Sequence, residues 1–331
     1  MSDNPHNMTM EKTSEFTGKD SWSHYWETAD SDGGGAVRSE KQAQLLAAWW
    51  HEALAEASKA VPPKRVLDAA CGAGVVTAIA RSLESLRDVE FVCSDYSPDA
   101  LASARESLGE QGVEYKVADA TKMPFDTDSF DWVVSQFGLE YGGMDAFVEA
   151  ARLVGPAGRF MALVHSSDGA IAEECAGNLS VLRAAQKADL IGHAERLLES
   201  ARFDDAEKSR AMEAAFGASF QALEAQLAGS KSGPAYTFVA RLANDLVQIY
   251  NRRSAHQPDE LVKWMAEKRR ELDGFAVRMQ TMVDSAMSED QMSKIGACFQ
   301  KAGLSECEVA PVSFEQDKPA SAWSIIATVG A

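Results

Sequence analysis

Two acidic side chains and a glycine-rich turn are the first residues of this sequence whose spacing could bind a ligand. In the segment VLDAACGAG, residues 66–74, an apolar run contains Asp68 and continues through small residues to Gly72 and Gly74. Glycine lets the backbone approach a ligand closely at the carboxyl end of a strand, where open α/β sheets bind their ligands. The Asp68 carboxylate at this place could hold a cationic ammonium group.

A second acid, Asp95, follows Gly74 at an offset of about 20 residues, from which a carboxylate can accept hydrogen bonds from both hydroxyls of a ribose. Nicotinamide and adenosyl cofactors both fit this geometry. Three details favour the adenosyl cofactor. The third glycine of the pattern G-x-G-x-x-G is missing, because residues 75–77 are Val, Val and Thr. Asp68 would repel a diphosphate but suits an amino-acid tail. Asp119, after a further apolar run, could meet an adenine amino group.

These side chains need a sheet to position them, and the hydrophobic pattern supplies one. From residue 64, short β-branched runs alternate with helical patterns, which is typical of βαβ units. Strands are predicted over 65–70, 89–95, 114–119, 130–136, 158–166, 307–315 and 322–330, and helices over 76–86, 98–109 and 144–153. Helical spacing alone fills the segment 168–285. We therefore predict an α/β fold, a doubly wound Rossmann-like, mostly parallel seven-stranded sheet with a helical subdomain inserted after strand five.

The pattern divides the chain into five predicted parts. They are a flexible N-terminal tail (1–18), an N-terminal helical cap (19–62), the Rossmann-like core (63–167), the helical insertion (168–285), and a final helix with two strands that complete the core (286–331). The insertion carries three apolar stripes of helical period, which ordinary packing explains. It could be a lid, a dimerisation surface for a homodimer, or both.

Composition limits the partners. The net charge of -18 over 331 residues repels nucleic-acid backbones and anionic lipid. We therefore expect neither a nucleic-acid nor a membrane partner. The five cysteines show no metal-binding spacing, so we predict no metal site and reduced thiols. No apolar signal core or run of bilayer length is present, which predicts a cytoplasmic protein.

Four motifs together resemble the class I S-adenosylmethionine-dependent methyltransferases, in the small-molecule branch related to ubiquinone and menaquinone biosynthesis enzymes. They are DAACGAG (68–74), SDYSPDALASAR (94–105), DATKMPFDTDSFDWVVSQFGL (119–139) and EAARLVGPAGRF (149–160). The similarity is dense between about residues 62 and 166 and does not extend to the helical insertion, so the substrate stays open.

The resemblance implies a set of residues that bind S-adenosylmethionine or its product S-adenosylhomocysteine. Asp68 and Gly72 would flank the methionine moiety, Asp95 would hold the ribose, and Tyr96 would pack on the adenine. The full set is Asp68, Ala70, Gly72, Gly74, Asp95, Tyr96, Asp119, Ala120, Ser135, Gln136, Tyr25 and Trp26. Simpler roles exist: Asp95 as a helix N-cap, Asp119 as a turn former, and the N-terminal aromatic residues packed on the insertion.

A base is needed only if the methyl acceptor carries a proton, and His165, at the predicted end of strand five, is the first candidate. The alternative is a rim histidine bonded to the backbone. Glu140 and Tyr141 face the same crevice and are weaker candidates.

We predict transfer of the sulfonium methyl by in-line displacement to a small-molecule acceptor. Residues 135–138 lack the Asn/Asp-Pro-Pro-Tyr motif of enzymes that methylate amino groups of bases. Two alternatives are an NAD(P)-dependent oxidoreductase and a non-catalytic S-adenosylmethionine-binding assembly protein.

Overall fold

The central element of the fold is a seven-stranded sheet in the order β3-β2-β1-β4-β5-β7-β6. The computed structural model describes residues 21–23, 25–26, 40–59, 62–200, 206–229, 232–252, 255–314 and 320–330. The strands are β1 (Arg65–Ala69), β2 (Glu90–Asp95), β3 (Val113–Val117), β4 (Phe130–Gln136), β5 (Val154–His165), β6 (Glu306–Val312) and β7 (Ala322–Thr328). Strands β1 to β5 are parallel, whereas β7 runs antiparallel between β5 and β6. The predicted fold class is confirmed.

Helices cover both faces of this sheet. They are α1 (Glu40–Ser58), α2 (Val75–Ser82), α3 (Pro98–Leu108), α4 (Gly143–Leu153), α5 (Ala170–Ala188), α6 (Leu190–Ser200), α7 (Ala206–Leu227), α8 (Pro234–Asn251), α9 (Pro258–Ser285) and α10 (Glu289–Lys301). On one face α1, α2 and α3 bury Trp50, Val76 and Leu101 against the strands. On the other, α4 and α10 bury Phe147 and Phe299. The sheet thus has a hydrophobic core on each side, as parallel sheets require.

Most elements differ from their predicted bounds by one to three residues at an end, and two differ by four. Helix α2 ends at Ser82 because Leu83 is extended, and a separate 3-10 turn follows at Glu84–Leu86. Strand β5 begins at Val154, which pairs with Phe130 before the register shifts. The sequence Gly-Pro-Ala-Gly at 155–158 is typical of a turn, yet here it forms an irregularity inside the strand.

Helices α5–α9, here called the helical subdomain, follow β5 and have their own core. Leu182, Leu223, Leu242 and Met279 are among its buried residues, and Phe137 of the sheet packs against it. The three predicted apolar stripes lie on α7, α8 and α9 and supply core residues, so ordinary packing accounts for most of them. The core of the subdomain therefore reaches the carboxyl edge of the sheet.

The end of the chain returns to the sheet through α10. Ser288 caps this helix by accepting from the Gln291 N–H, and the Gln291 side chain accepts from the Ser288 N–H, which together form a capping box. The predicted tail, residues 1–18, lies outside the described residues. Within the described ranges, no helix combines the length and apolar character needed to cross a bilayer. The same ranges contain no cluster of three or more His, Cys, Asp or Glu placed to hold a metal.

Candidate active site

The loop between β1 and α2 folds tightly against the end of β4. Ala70, Gly72 and Gly74 all have left-handed backbone conformations, with φ of 53°, 53° and 76°. A Cβ on Gly138 would lie 2.4 Å from the Cβ of Ala70, and one on Gly74 would lie 2.6 Å from Leu108 Cδ1. Small residues are therefore required where two strand ends bring their loops together. This is the edge at which open α/β sheets bind ligands.

Asp95 joins this loop to the one that follows β2. Its Oδ2 accepts from the Gly72 N–H at 2.9 Å and its Oδ1 from the Ser97 N–H at 2.9 Å. Burial raises the pKa of Asp95, and these backbone donors oppose the rise. The N-cap of α3 is Ser97, whose hydroxyl accepts from Ala100, so Asp95 does not serve as that cap. A carboxylate with further lone pairs therefore stands at the junction of two loops.

Asp68 is the buried acid of the site, with 1% of its surface exposed. Its Oδ2 accepts from the Thr77 hydroxyl at 2.8 Å and the Thr77 N–H at 3.2 Å, whereas its Oδ1 has no partner in the described part of the chain. Burial raises the pKa of Asp68 to about 7, which hydrogen bonds from Thr77 oppose. The free oxygen can accept a hydrogen bond from a ligand, and a cationic donor would favour the ionised carboxylate.

The raised pKa of Asp68 predicts an unusual pH dependence of stability. The folded protein holds this proton more tightly than the unfolded chain, whose carboxyl titrates near 3.8. The stabilising contribution is therefore present at acid pH and is lost as pH rises from about 4 to about 7, by up to about 4 kcal/mol. We expect Asp68→Asn, without ligand, to lose less stability than the wild type between pH 5 and pH 8 in thermal denaturation.

Asp99→Asn is the matched control, because this carboxyl is exposed in the first turn of α3. Its denaturation profile should follow that of the wild type. If Asp68→Asn also ran parallel to the wild type over this pH range, Asp68 would not carry the buried proton.

The residues predicted on the adenine side are less enclosed. Tyr96 is 47% exposed just beyond β2. The Asp119 Oδ1 accepts from the N–H of Thr121 at 3.0 Å and from its hydroxyl at 2.7 Å, so Asp119 is a turn former whatever else it binds. Ala120 packs against the core beside it.

The end of β4 contributes two side chains that alternate between the faces of the sheet. Ser135 is buried, and no described residue is a hydrogen-bond partner of its hydroxyl. The Gln136 side-chain oxygen accepts from the indole N–H of Trp50, at 2.7 Å. This contact fixes helix α1 to the site edge. Sequence reasoning missed Trp50 as well as Thr77, because neither pairing has a local spacing that would reveal it.

His165 and Glu140 form a buried pair at the ends of β5 and β4, with 1% and 2% of their surfaces exposed. Glu140 Oε1 accepts from the backbone N–H of His165 at 3.1 Å and lies 2.7 Å from Nδ1. The second contact is close but out of line with the ring N–H, and neither ring nitrogen makes a hydrogen bond within the described part of the chain. The Phe137 ring stacks on the imidazole at 4.3 Å. His165 is thus not a backbone-bonded rim histidine.

Tyr141 completes this group, with its ring 6.3 Å from that of His165. Burial raises its pKa well above the ordinary value, and the nearby Glu140 adds to the rise. The hydroxyl therefore keeps its proton near neutral pH. Tyr141 can donate a hydrogen bond here but cannot serve as a base.

Trp22, Tyr25 and Trp26, here called the aromatic cap, connect the glycine loop to the helical subdomain. A Cβ on Gly72 would lie 3.0 Å from Trp26. Ring centroids are 5.2 Å apart between Tyr25 and Trp26, 5.7 Å between Trp22 and Tyr25, and 5.4 Å between Trp22 and Tyr141. Trp26 thus packs over the glycine loop, and Trp22 packs on the subdomain core, as the simpler interpretation predicts. The predicted contact of Tyr25 and Trp26 with a cofactor stays a prediction.

Buried polar atoms without partners concentrate at this edge. In the described ranges they are Trp22 Nε1, Asp68 Oδ1, Ser129 Oγ, Ser135 Oγ, Glu140 Oε2, Tyr141 Oη and both ring nitrogens of His165. All but the Ser129 hydroxyl belong to the residues described above. A buried polar atom without a partner costs about 1–3 kcal/mol, so such a concentration indicates a place that a ligand completes.

Known proteins match this chain over the segment that contains the glycine loop and Asp95. Residues 66–158 match the sequence profile of a family described as "Methyltransferase domain". The chain is 36% identical over 118 residues to the demethylmenaquinone methyltransferase of Clavibacter sepedonicus, covering 34% of this chain and 45% of that protein. It is 33% identical over 126 residues to the ubiquinone/menaquinone biosynthesis C-methyltransferase UbiE of Ectopseudomonas mendocina, covering 36% and 49%.

The chain spans about half the length of these relatives or slightly less. The structure of an S-adenosylmethionine-dependent methyltransferase from Aquifex aeolicus aligns with this chain at 10% identity and a TM-score of 0.39. The alignment covers 85% of this chain and 89% of that protein. The resemblance to class I S-adenosylmethionine-dependent methyltransferases is confirmed for residues 66–158, and S-adenosylmethionine is the cofactor of this class of domain.

Proposed function

We propose that this chain is an S-adenosylmethionine-dependent methyltransferase that transfers the sulfonium methyl by in-line displacement to a small-molecule acceptor. The observation that carries the proposal is Asp95, whose carboxylate joins the glycine loop to the β2–α3 loop inside the matched segment 66–158. The net charge of -18 supports a small acceptor over a nucleic acid.

The chain's own residues would hold the cofactor in the following way. The free Oδ1 of Asp68 would accept from the ammonium of the methionine moiety, beside the backbone of Ala70, Gly72 and Gly74. Asp95 would accept from the ribose hydroxyls. The adenine would lie between Tyr96, Asp119 and Ala120. Ser135, Gln136, Tyr25 and Trp26 would line or cover the methionine side.

The sulfonium activates its methyl carbon, so the residues need to orient the acceptor, exclude water and take up a proton where the acceptor has one. His165 would be the base at Nε2, and Glu140 would position the ring through Nδ1. Tyr141 would donate a hydrogen bond.

We propose the helical subdomain as a lid over the acceptor, because its core shares Phe137 and Tyr141 with the site. A homodimer through the same helices stays a second proposal. We also propose the five-part division of the chain, with boundaries after residues 18, 62, 167 and 285. It is supported by the order of the elements, because strands β1 to β5, the helices of the subdomain, and the last helix and strand pair follow one another in separate ranges.

The test is turnover with S-adenosylmethionine carrying a deuterated methyl group. Panels of hydroquinones, phenols, amines, thiols and carboxylic acids are offered as acceptors, and release of S-adenosylhomocysteine is measured together with label in the acceptor. We expect labelled product from one panel. Cofactor binding without labelled product from any panel would favour the non-catalytic assembly protein, and reduction of NAD(P) would favour the oxidoreductase.

A further inference from the structure

Arg278 on α9 is a cation of the helical subdomain with no acidic partner in the described ranges. Its guanidinium carbon lies 4.8 Å from the ring centroid of Tyr25 and 5.0 Å from that of Phe275. Among the described residues, no carboxylate forms an ion pair with it, although Arg269 of the same helix contacts Glu195. Burial lowers the pKa of Arg278 to about 10, so the group is still charged at neutral pH. Arg278 is partly buried, and taking a cation out of water without a counter-ion costs free energy that an anionic ligand would offset.

Two further hydrogen-bond donors lie beside it, and neither has a partner among the residues that the structure describes. The Trp22 indole N–H and the Tyr141 hydroxyl are buried, and their rings pack 5.4 Å apart. Trp22 also packs on Tyr25, the ring below Arg278. An indole N–H and a guanidinium can only donate, and the hydroxyl of Tyr141 holds its proton. The three groups therefore offer several hydrogen-bond donors and carry no negative charge.

Resting on the proposed function, we propose that Arg278, Tyr141 and Trp22 form a subsite for an anionic group of the methyl acceptor, a carboxylate or a phosphate. The subsite lies on the acceptor side, because Tyr141 adjoins His165 while Trp26 separates Tyr25 from the glycine loop. Oxygen anions match a set of donors that includes one guanidinium.

Glu140 is the carboxylate that acts on Tyr141, and one of its oxygens is committed to His165. Its Oε1 accepts from the His165 backbone and faces Nδ1 of the same residue, whereas Oε2 has no partner among the described residues. Within the described ranges neither oxygen forms an ion pair with Arg278, whose charge is affected by Tyr25 and Tyr141. In this proposal the acceptor supplies the anion, which makes it an organic acid or a phosphate ester.

The test is calorimetric titration of matched acid and neutral probes into protein saturated with S-adenosylhomocysteine. The pairs are benzoate with benzamide, hexanoate with hexanamide, and phenyl phosphate with phenol. In the wild type we expect at least one acid to bind about tenfold more tightly than its neutral match, as a charge-assisted hydrogen bond provides. Arg278→Met should abolish this preference and leave S-adenosylhomocysteine affinity within about threefold.

Arg278→Lys keeps the charge and should retain part of the preference, which a merely structural role would not predict. Arg269→Met, on the same helix but paired with an acid, should keep all of it. If no acid binds more tightly than its neutral match in the wild type, the acceptor subsite is overturned. It is also overturned if Arg278→Met lowers the affinity for S-adenosylhomocysteine by more than tenfold, because Arg278 would then bind the carboxylate of the cofactor. Absence of S-adenosylhomocysteine binding to the wild type would instead overturn the proposed function.

Discussion

Asp95→Ala is expected to weaken the binding of S-adenosylhomocysteine by at least about a hundredfold. Two hydrogen bonds to a carboxylate would be lost from the ribose, each worth about 1.5–3 kcal/mol, which together correspond to about two to four powers of ten in affinity. The substitution also removes the acceptor for the N–H groups of Gly72 and Ser97, so the two loops lose the group that joins them. Isothermal titration calorimetry measures the effect directly.

Two variants separate ribose binding from loop stability. Asp95→Asn keeps the size of the side chain but replaces one accepting oxygen with a donor, so its affinity should also fall, by a smaller factor. Asp99→Asn removes an exposed carboxyl four residues away and should bind as the wild type does. Affinity of Asp95→Ala within threefold of the wild type would show that this carboxylate does not hold the cofactor.

His165→Asn is expected to lower kcat by about 10²–10⁴ once an acceptor with an ionisable proton is in hand, since this is the usual contribution of a general base. The Nε2 atom of His165 is buried and unpaired, while Glu140 lies against Nδ1 and can stabilise the charge that a transferred proton brings. Glu140→Gln should therefore lower kcat as well, with a smaller effect. Steady-state kinetics with varied acceptor separates kcat from KM.

His51→Asn provides the matched control for this pair, because His51 is exposed on α1. It should leave both kinetic constants unchanged. Binding of S-adenosylhomocysteine to His165→Asn should stay at the wild-type level, which distinguishes a chemical role from a disturbed site. Full turnover by His165→Asn would show that the acceptor needs no base from this residue.

The sheet and its cofactor edge could be predicted because their determinants are local in sequence. Short hydrophobic runs that alternate with helical patterns predict the five parallel strands, and the offset from the glycine loop identifies Asp95 as a candidate ligand-binding acid. The predicted strand β5 is too short because the sequence Gly-Pro-Ala-Gly is typical of turns. In the structure, pairing with β4 on both sides of this segment keeps it within the strand. Local propensity is outweighed there by tertiary hydrogen bonds.

The acceptor side could not be predicted to the same degree, because it is built from residues far apart in the chain. The contacts of Trp22 with Tyr141, and of Arg278 with Tyr25, depend on how the helical subdomain and the N-terminal segment pack. One local signal was present. Arg278 has no acid three or four residues away on its helix, so nothing nearby could neutralise it.

The most direct test of the central claim is a calorimetric titration of the wild-type protein with S-adenosylhomocysteine and, separately, with NADH. The geometry of the glycine loop, Asp68 and Asp95 predicts saturable binding of S-adenosylhomocysteine, one molecule per chain, and no heat of binding from NADH. Binding of NADH, or of neither ligand, would contradict the assignment of this edge to S-adenosylmethionine.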